Sequence, residues 1–161
     1  MTVAARRGQG EEAALDVDAI VEAASRASVL VVGPGLGKGD ALAQSLAELL
    51  QKIDLPAILD ADAIRLMVSH APILKNRTAP TVLTPHAGEM AALLGSSSAQ
   101  VQAARRDAAL KAAELTGASV VLKGYGTLTT TLERGIIFNP TGGPWLATAG
   151  SGDVHLQLRA R

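Results

Sequence analysis

Ser28-Val-Leu-Val-Val-Gly-Pro-Gly-Leu-Gly-Lys-Gly39 runs from a short apolar, β-branched segment straight into a loop holding four glycines. Ser28 to Val32 has the composition of a strand buried in a parallel sheet. Gly33 to Gly39 tolerates positive φ and has no side chains at its glycines to keep a ligand from the main chain. Asp40 to Ile53 follows, with Leu42, Leu46, Leu49 and Leu50 on one helical face. Strand, glycine loop and amphipathic helix make one βα unit.

The unit recurs in both directions. Upstream, Asp16 to Ala27 carries Val17, Ile20, Val21 and Ala24 at helical spacing, with Asp16 as its cap. Residues before it, 1–15, read as a polar lead-in without a packed role. Downstream, Ala57 to Leu59 is a strand leading through Asp60-Ala-Asp62 into a short helix ending near Val68. After a loop containing Pro72 and Pro80, Thr81 to Thr84 is strand-like, Gly88 to Leu94 and Ala99 to Thr116 are helical, and Ala118 to Leu122 is a buried-type strand. Leu128 to Leu132 and Gly135 to Phe138 pair as a hairpin through Glu133-Arg134. The alternation predicts an α/β fold, a parallel sheet covered by helices, with ligands at the carboxyl ends of its strands.

Composition narrows the function classes. With 161 residues and 48% hydrophobic content the chain is sized for one globular domain. Fifteen acidic and fifteen basic residues cancel, so nothing electrostatic points to nucleic acid or a membrane surface. The absence of cysteine excludes disulfides and thiolate chemistry. No apolar run is long enough to span a bilayer and no secretory leader is evident, so the expected compartment is the cytoplasm. Aromatics number only three, Tyr125, Phe138 and Trp145. The core must therefore be Ala, Leu, Val and Ile, and base-stacking on single strands is disfavoured.

Each candidate motif falls where a strand ends. Gly33 to Gly39 lacks the glycine five positions before Gly37, and the Ser or Thr after Lys38, that a phosphate-binding Walker loop needs; the dinucleotide fingerprint fails on its third glycine. A tight turn and ligand contact through Gly35 and Gly37 stay open. Asp60 is placed to help hold a cation, and Asp62 to cap the next helix. In Thr84-Pro-His-Ala-Gly-Glu89, His86 and Glu89 share one helical face: His86 offers a substrate hydrogen bond and Glu89 positions Mg²⁺ through water, unless the segment is only a helix start capped by Thr84. Zinc is disfavoured, because His70 and His155 stand at no metal spacing from His86. Lys123-Gly124-Tyr125-Gly126-Thr127 offers a cation, two glycines and a hydroxyl to a nucleotide, or is a plain hairpin approach. Asn139 to Trp145 is a polar lid over the final loop. There Gly150, Ser151 and Gly152 supply amides for charge on a transferring phosphoryl group, and Asp153 a carboxylate to accept a hydroxyl proton.

Taken in order, Gly33-Pro-Gly-Leu-Gly37, Leu59-Asp-Ala-Asp-Ala63, Leu83-Thr-Pro-His-Ala-Gly-Glu-Met90, Leu122-Lys-Gly124 with Thr127, and Ala147-Thr-Ala-Gly-Ser-Gly-Asp-Val154 resemble the ADP- or ATP-dependent NAD(P)H-hydrate dehydratases. These have a ribokinase-like fold, a three-layer α/β arrangement on a parallel sheet, and the likeness covers about residues 16 to 154. It implies that hydrated NADH or NADPH is restored by dehydration, driven by hydrolysis of ADP or ATP with Mg²⁺. Gly37 and His86 would contact the hydrated dinucleotide, with Gly35 beside them. Lys123 to Thr127 and Gly152, with Gly150 and Ser151, would contact the adenine nucleotide, and Glu89 would act near Mg²⁺. Asp153 would deprotonate the ring hydroxyl, which takes the phosphoryl group and leaves as phosphate.

Family members have further strands and helices before the first glycine loop, and after the Gly-Ser-Gly-Asp loop they continue into a long apolar helix. Here about thirty residues precede Gly33, and Val154-His-Leu-Gln-Leu-Arg-Ala-Arg161 follows. The expectation is an incomplete domain over 16–154 with an aberrant tail over 155–161, marginally stable and prone to association, and its oligomeric state is open. A catalytically silent remnant or interaction module, and a ribokinase-like kinase of a vitamin precursor, are the alternatives.

Overall fold

A computed structural model describes residues 6–8, 13–131 and 133–141 of the chain. β1 (Arg6–Arg7) and β2 (Ala14–Leu15) pair antiparallel, and α1 (Val17–Ala24) follows. Asp16 caps α1 as expected, its carboxylate accepting from the Ala19 amide at 3.3 Å. β3 (Leu30–Val32) enters the glycine loop, and α2 (Asp40–Lys52) buries Leu42, Leu46, Leu49 and Leu50. β4 (Ala57–Leu59), α3 (Asp62–Leu66), a 3₁₀ turn over Val68–His70, α4 (Ala71–Lys75) and β5 (Thr81–Leu83) come next. The rest is α5 (Ala87–Leu94), α6 (Ser98–Ala103), α7 (Arg105–Thr116), β6 (Ser119–Leu122), β7 (Thr127–Thr131) and β8 (Gly135–Asn139).

Strands β3 to β8 form one sheet in sequence order. β3, β4, β5 and β6 run parallel, and β7 and β8 fold back antiparallel as the expected hairpin. Of that hairpin's expected residues, Leu132 lies outside the described set. Crossovers between parallel strands are right-handed, so a sheet that grows in one direction keeps its helices on one face. Burial agrees. Ala57, Leu59, Thr81, Leu83, Val120, Leu122, Leu128 and Thr130 are buried against the helices, whereas Val31 and Ile137, on the other face, are 45% and 60% exposed. Among the described residues the fold is thus a mixed, mainly parallel six-stranded sheet with one helical layer. The core is aliphatic, with Met67 and Met90 fully buried beside the leucines. Each such side chain contributes roughly 1.5–3 kcal/mol on leaving water.

Three local readings need correction. Within the lead-in, Ala13 and Leu15 are buried in the core, and the Leu15 amide donates to Ser45 Oγ at 2.9 Å. Pro72 does not sit in a plain loop but in the first turn of α4, where its missing N–H costs nothing. The helix expected over 99–116 breaks at Ala104, which leaves the helical region at φ −134°, ψ 50°, and restarts at Arg105. Among the described residues, no helix is long and apolar enough to cross a membrane.

Candidate functional site

The carboxyl ends of β3, β4, β5 and β6 adjoin one another, and their contact begins with a glycine. Gly33 has φ +144°, and a Cβ there would lie 1.7 Å from the Asp60 carbonyl oxygen. Only a residue without a side chain lets the end of β3 close on the end of β4. The Asp60 amide then donates to the Val32 carbonyl at 3.0 Å. Farther along the loop, the Gly37 amide donates to Asp62 Oδ2 at 2.9 Å. Asp62 therefore ties down the glycine loop instead of capping α3, which has no side-chain cap. Between the two aspartates, Ala61 is held at φ 47°, the only positive-φ non-glycine among the described residues.

Asp60 is 2% exposed, and its Oδ1 accepts from Lys123 Nζ and from Thr84 Oγ1, both at 2.7 Å. A buried carboxylate needs such donors, because an unpaired charge in the interior is costly. Lys123 Nζ also lies 4.0 Å from Glu89 Oε2. Glu89, 4% exposed, accepts from the His86 amide at 2.8 Å through Oε2 and lies 3.1 Å from His86 Nε2 through Oε1. His86 Nδ1 accepts from the Gly88 and Glu89 amides, which leaves the proton on Nε2, facing Glu89. The result is a capping box in which histidine replaces the usual hydroxyl residue. Thr84, the cap in the alternative reading of this segment as a plain helix start, serves Asp60 instead.

The loop after β6 is shaped by Gly124 and Gly126, at φ +130° and +65°. Thr127 Oγ1 donates to the Gly124 carbonyl at 3.0 Å, the Lys123 amide to the Pro85 carbonyl at 2.8 Å, and Tyr125 is 86% exposed. Beneath the loop lies Arg105, within the stretch 99–116 expected to be one helix. Its guanidinium donates to the Leu122, Lys123 and Gly126 carbonyls. Beside the first loop, Gly37, Lys38, Asp40, Asp62 and Arg65 line a depression of about 560 Å³.

Of the site residues read from sequence, Gly35, Gly37, His86, Glu89 and Lys123 to Thr127 all lie at this one end of the sheet. Asp60, Thr84, Glu89, His86 and Lys123 form one polar network across three strand ends. Gly150, Ser151, Gly152 and Asp153 lie outside the described residues, as do Gly142 to Trp145 of the expected lid and the 155–161 tail. Among the described residues, no three His, Asp or Glu side chains gather as metal ligands. Glu89 fits only the water-mediated part: its oxygens already face His86 and Lys123, and a remaining lone pair suits a water of a hydrated ion.

Comparison with known proteins adds to this geometry. A family model described as NAD(P)H-hydrate dehydratase matches residues 3–156. A bifunctional NAD(P)H-hydrate repair enzyme of Moorella thermoacetica is 41% identical over 138 residues, 86% of this chain and 26% of the relative. An ADP-dependent (S)-NAD(P)H-hydrate dehydratase of Neisseria meningitidis is 46% identical over 127 residues, 77% of this chain and 43% of that protein. The crystal structure of the ADP/ATP-dependent NAD(P)H-hydrate dehydratase of Bacillus subtilis, co-crystallized with ATP/Mg²⁺, superimposes with a TM-score of 0.67 at 30% identity, covering 84% of this chain and 49% of that one. The chain thus spans less than half the length of each.

Proposed function

Because this chain belongs to the NAD(P)H-hydrate dehydratase family, we propose that it carries the nucleotide-facing part of a nicotinamide-repair site, which removes water from hydrated NADH or NADPH with ADP or ATP as co-substrate. The observation that carries the reading is the Asp60–Lys123–Glu89–His86 network, which joins the dinucleotide loops to the adenine-nucleotide loop through contacts of 2.7, 4.0 and 3.1 Å. The unit concerned is residues 16–154, part of a ribokinase-like domain, with Ala13 and Leu15 packed onto it.

In this reading Gly35, Gly37 and His86 border the hydrated nicotinamide dinucleotide. Gly37 is held by Asp62 so that the loop keeps its approach, and His86 is held by Glu89. Lys123 to Thr127, with Gly150, Ser151 and Gly152, bind the adenine nucleotide. Asp153 takes the proton of the ring hydroxyl as its oxygen bonds to the terminal phosphorus and the bond to the bridging oxygen breaks. The C–O bond then cleaves and phosphate departs, the neighbouring ring carbon gives up a proton to water, and the ring double bond is restored. Mg²⁺, when bound, screens the phosphate charge during transfer, with Glu89 reaching it through water. The family's ADP-dependent member and the ATP/Mg²⁺ co-crystal support this choice of co-substrates. The reaction would take place in the cytoplasm, with small-molecule partners.

Incubating the full chain with hydrated NADH, Mg²⁺ and either ADP or ATP tests it. NADH absorbance should recover, and Asp153→Asn should slow recovery by roughly 10²-fold or more, as loss of a general base does. No recovery from a chain that still binds nucleotide would favour a silent remnant. Phosphorylation of a vitamin alcohol without repair would favour a kinase.

A further inference from the structure

Arg105 occupies a place that local forces disfavour. It is the first residue of α7, where the helix dipole repels a cation. It is half-buried, and that burial lowers its pKa from the usual guanidinium value. Among the described residues no carboxylate pairs with it. What it has instead are neutral carbonyl oxygens: on the main chain, Nη2 donates to Leu122 O at 3.1 Å, Lys123 O at 3.4 Å and Gly126 O at 3.2 Å, and Nη1 to Lys123 O at 3.5 Å, while the side-chain Gln102 Oε1 accepts from Nη1 at 3.1 Å. Thr127 takes a further loop carbonyl, that of Gly124. The break at Ala104 brings Arg105 to this position; an unbroken helix over 99–116 would give that turn a different course.

We propose that Arg105 is a positioning residue for the adenine nucleotide. By gathering the carbonyls of Leu122, Lys123 and Gly126 on one side of the loop, it leaves the amides of the exposed Gly124 and Tyr125 for the phosphates. Among the described residues those two amides have no other hydrogen-bond partner. The inference rests on the nucleotide role proposed above for Lys123 to Thr127. A guanidinium suits the task because its planar fork serves several acceptors at once, which an ammonium on a flexible stem does not. Gly124 fits the same picture: a Cβ there would come within 3.2 Å of Arg105 Nη1, so the loop and the guanidinium are closely apposed.

The test uses the full chain as wild type, Arg105→Ala and Arg105→Lys. Calorimetric titration with ADP–Mg²⁺ and ATP–Mg²⁺ is set beside titration with hydrated NADH. Loss of charge-assisted hydrogen bonds should weaken nucleotide binding by about tenfold or more in Arg105→Ala. Arg105→Lys should be intermediate, and affinity for hydrated NADH should change by less than about twofold. The amide resonances of Gly124 and Tyr125 should shift in the alanine variant while those of β3 stay in place. Unchanged nucleotide affinity in Arg105→Ala, or an equal fall for both ligands, overturns the inference alone. A wild-type chain that binds neither ADP nor ATP overturns the functional reading and this inference with it. If Arg105→Ala loses its cooperative unfolding transition, Arg105→Lys decides by the same criterion.

Discussion

Two partly buried cations, Arg77 at one end of the sheet and Lys123 at the other, are used in opposite ways. At the amino ends of the strands, Arg77 donates to the carbonyls of Leu50, Ile53 and Leu55 and to Thr81 Oγ1. It closes the end of α2, whose last carbonyls have no partner within the helix. Burial lowers its pKa, against the opposing pull of Asp54. A cavity of about 290 Å³ lies beside it, lined by Leu50, Asp54, Asn76 and Arg77 among others. At the carboxyl ends, Lys123 is balanced by Asp60 and bordered by Glu89, with glycine loops on either side. The guanidinium of Arg77 is spent on holding chain to chain, whereas the other end keeps charge, exposed amides and open backbone. The cavity beside Arg77 thus adjoins an arginine already committed to the chain, whereas the glycine-lined end keeps groups for a ligand to bind.

The largest effect should come from Asp60→Ala. It leaves Lys123, with a side chain 29% exposed, facing only Glu89 at 4.0 Å, and deprives the Thr84 hydroxyl of its acceptor. Breaking one partner of a buried pair costs about 3–5 kcal/mol. Urea denaturation should show a loss of that order, and a smaller one for Asp60→Asn, which keeps an acceptor. A loss under about 1 kcal/mol would mean that the network does not hold the carboxyl ends together, and the contrast between the ends would fall.

Arg77→Ala should cost less, about 2 kcal/mol, because it removes hydrogen bonds to carbonyls without stranding a charge. Its sharper value is negative: affinity for ADP–Mg²⁺ should not change. A fall in that affinity comparable to the one expected at Arg105 would show that the two ends are coupled through the sheet.

What could be read from sequence was whatever depends on near neighbours. The strand, glycine-loop, helix alternation around Ser28 to Ile53, the Asp16 cap and the β7–β8 hairpin follow from spacing and turn residues alone. The strand-end location of Gly37, His86, Glu89 and Lys123 followed from the same alternation. What could not be read was which donor meets which acceptor. Gly37 and Asp62 stand 25 residues apart, and Asp60 and Lys123 stand 63 apart. Residue type gave Asp62 and Thr84 plausible local caps, and a partner on another strand end took each of them. Ala104 has neither glycine nor proline beside it, so the break that frees Arg105 has no local signal. The reason for Gly33 was hidden too, since the atom that excludes a side chain belongs to Asp60.

The smallest effect concerns backbone strain, which also separates the two ends. Ala61, at φ 47° and ψ −118°, lies between the aspartates that hold Gly37 and Lys123. A non-glycine residue in such a region costs on the order of 1–3 kcal/mol, kept in place by its surroundings. Glycine would relieve that cost, against about 0.4–1 kcal/mol of extra unfolded-state entropy. Ala61→Gly should therefore raise stability by about 0.5 kcal/mol in thermal or urea unfolding, with nucleotide affinity unchanged. A loss of more than about 1 kcal/mol would show that the Ala61 methyl contributes packing exceeding any relief. The strain would then not distinguish the carboxyl end, and the difference between the ends would rest on charge alone.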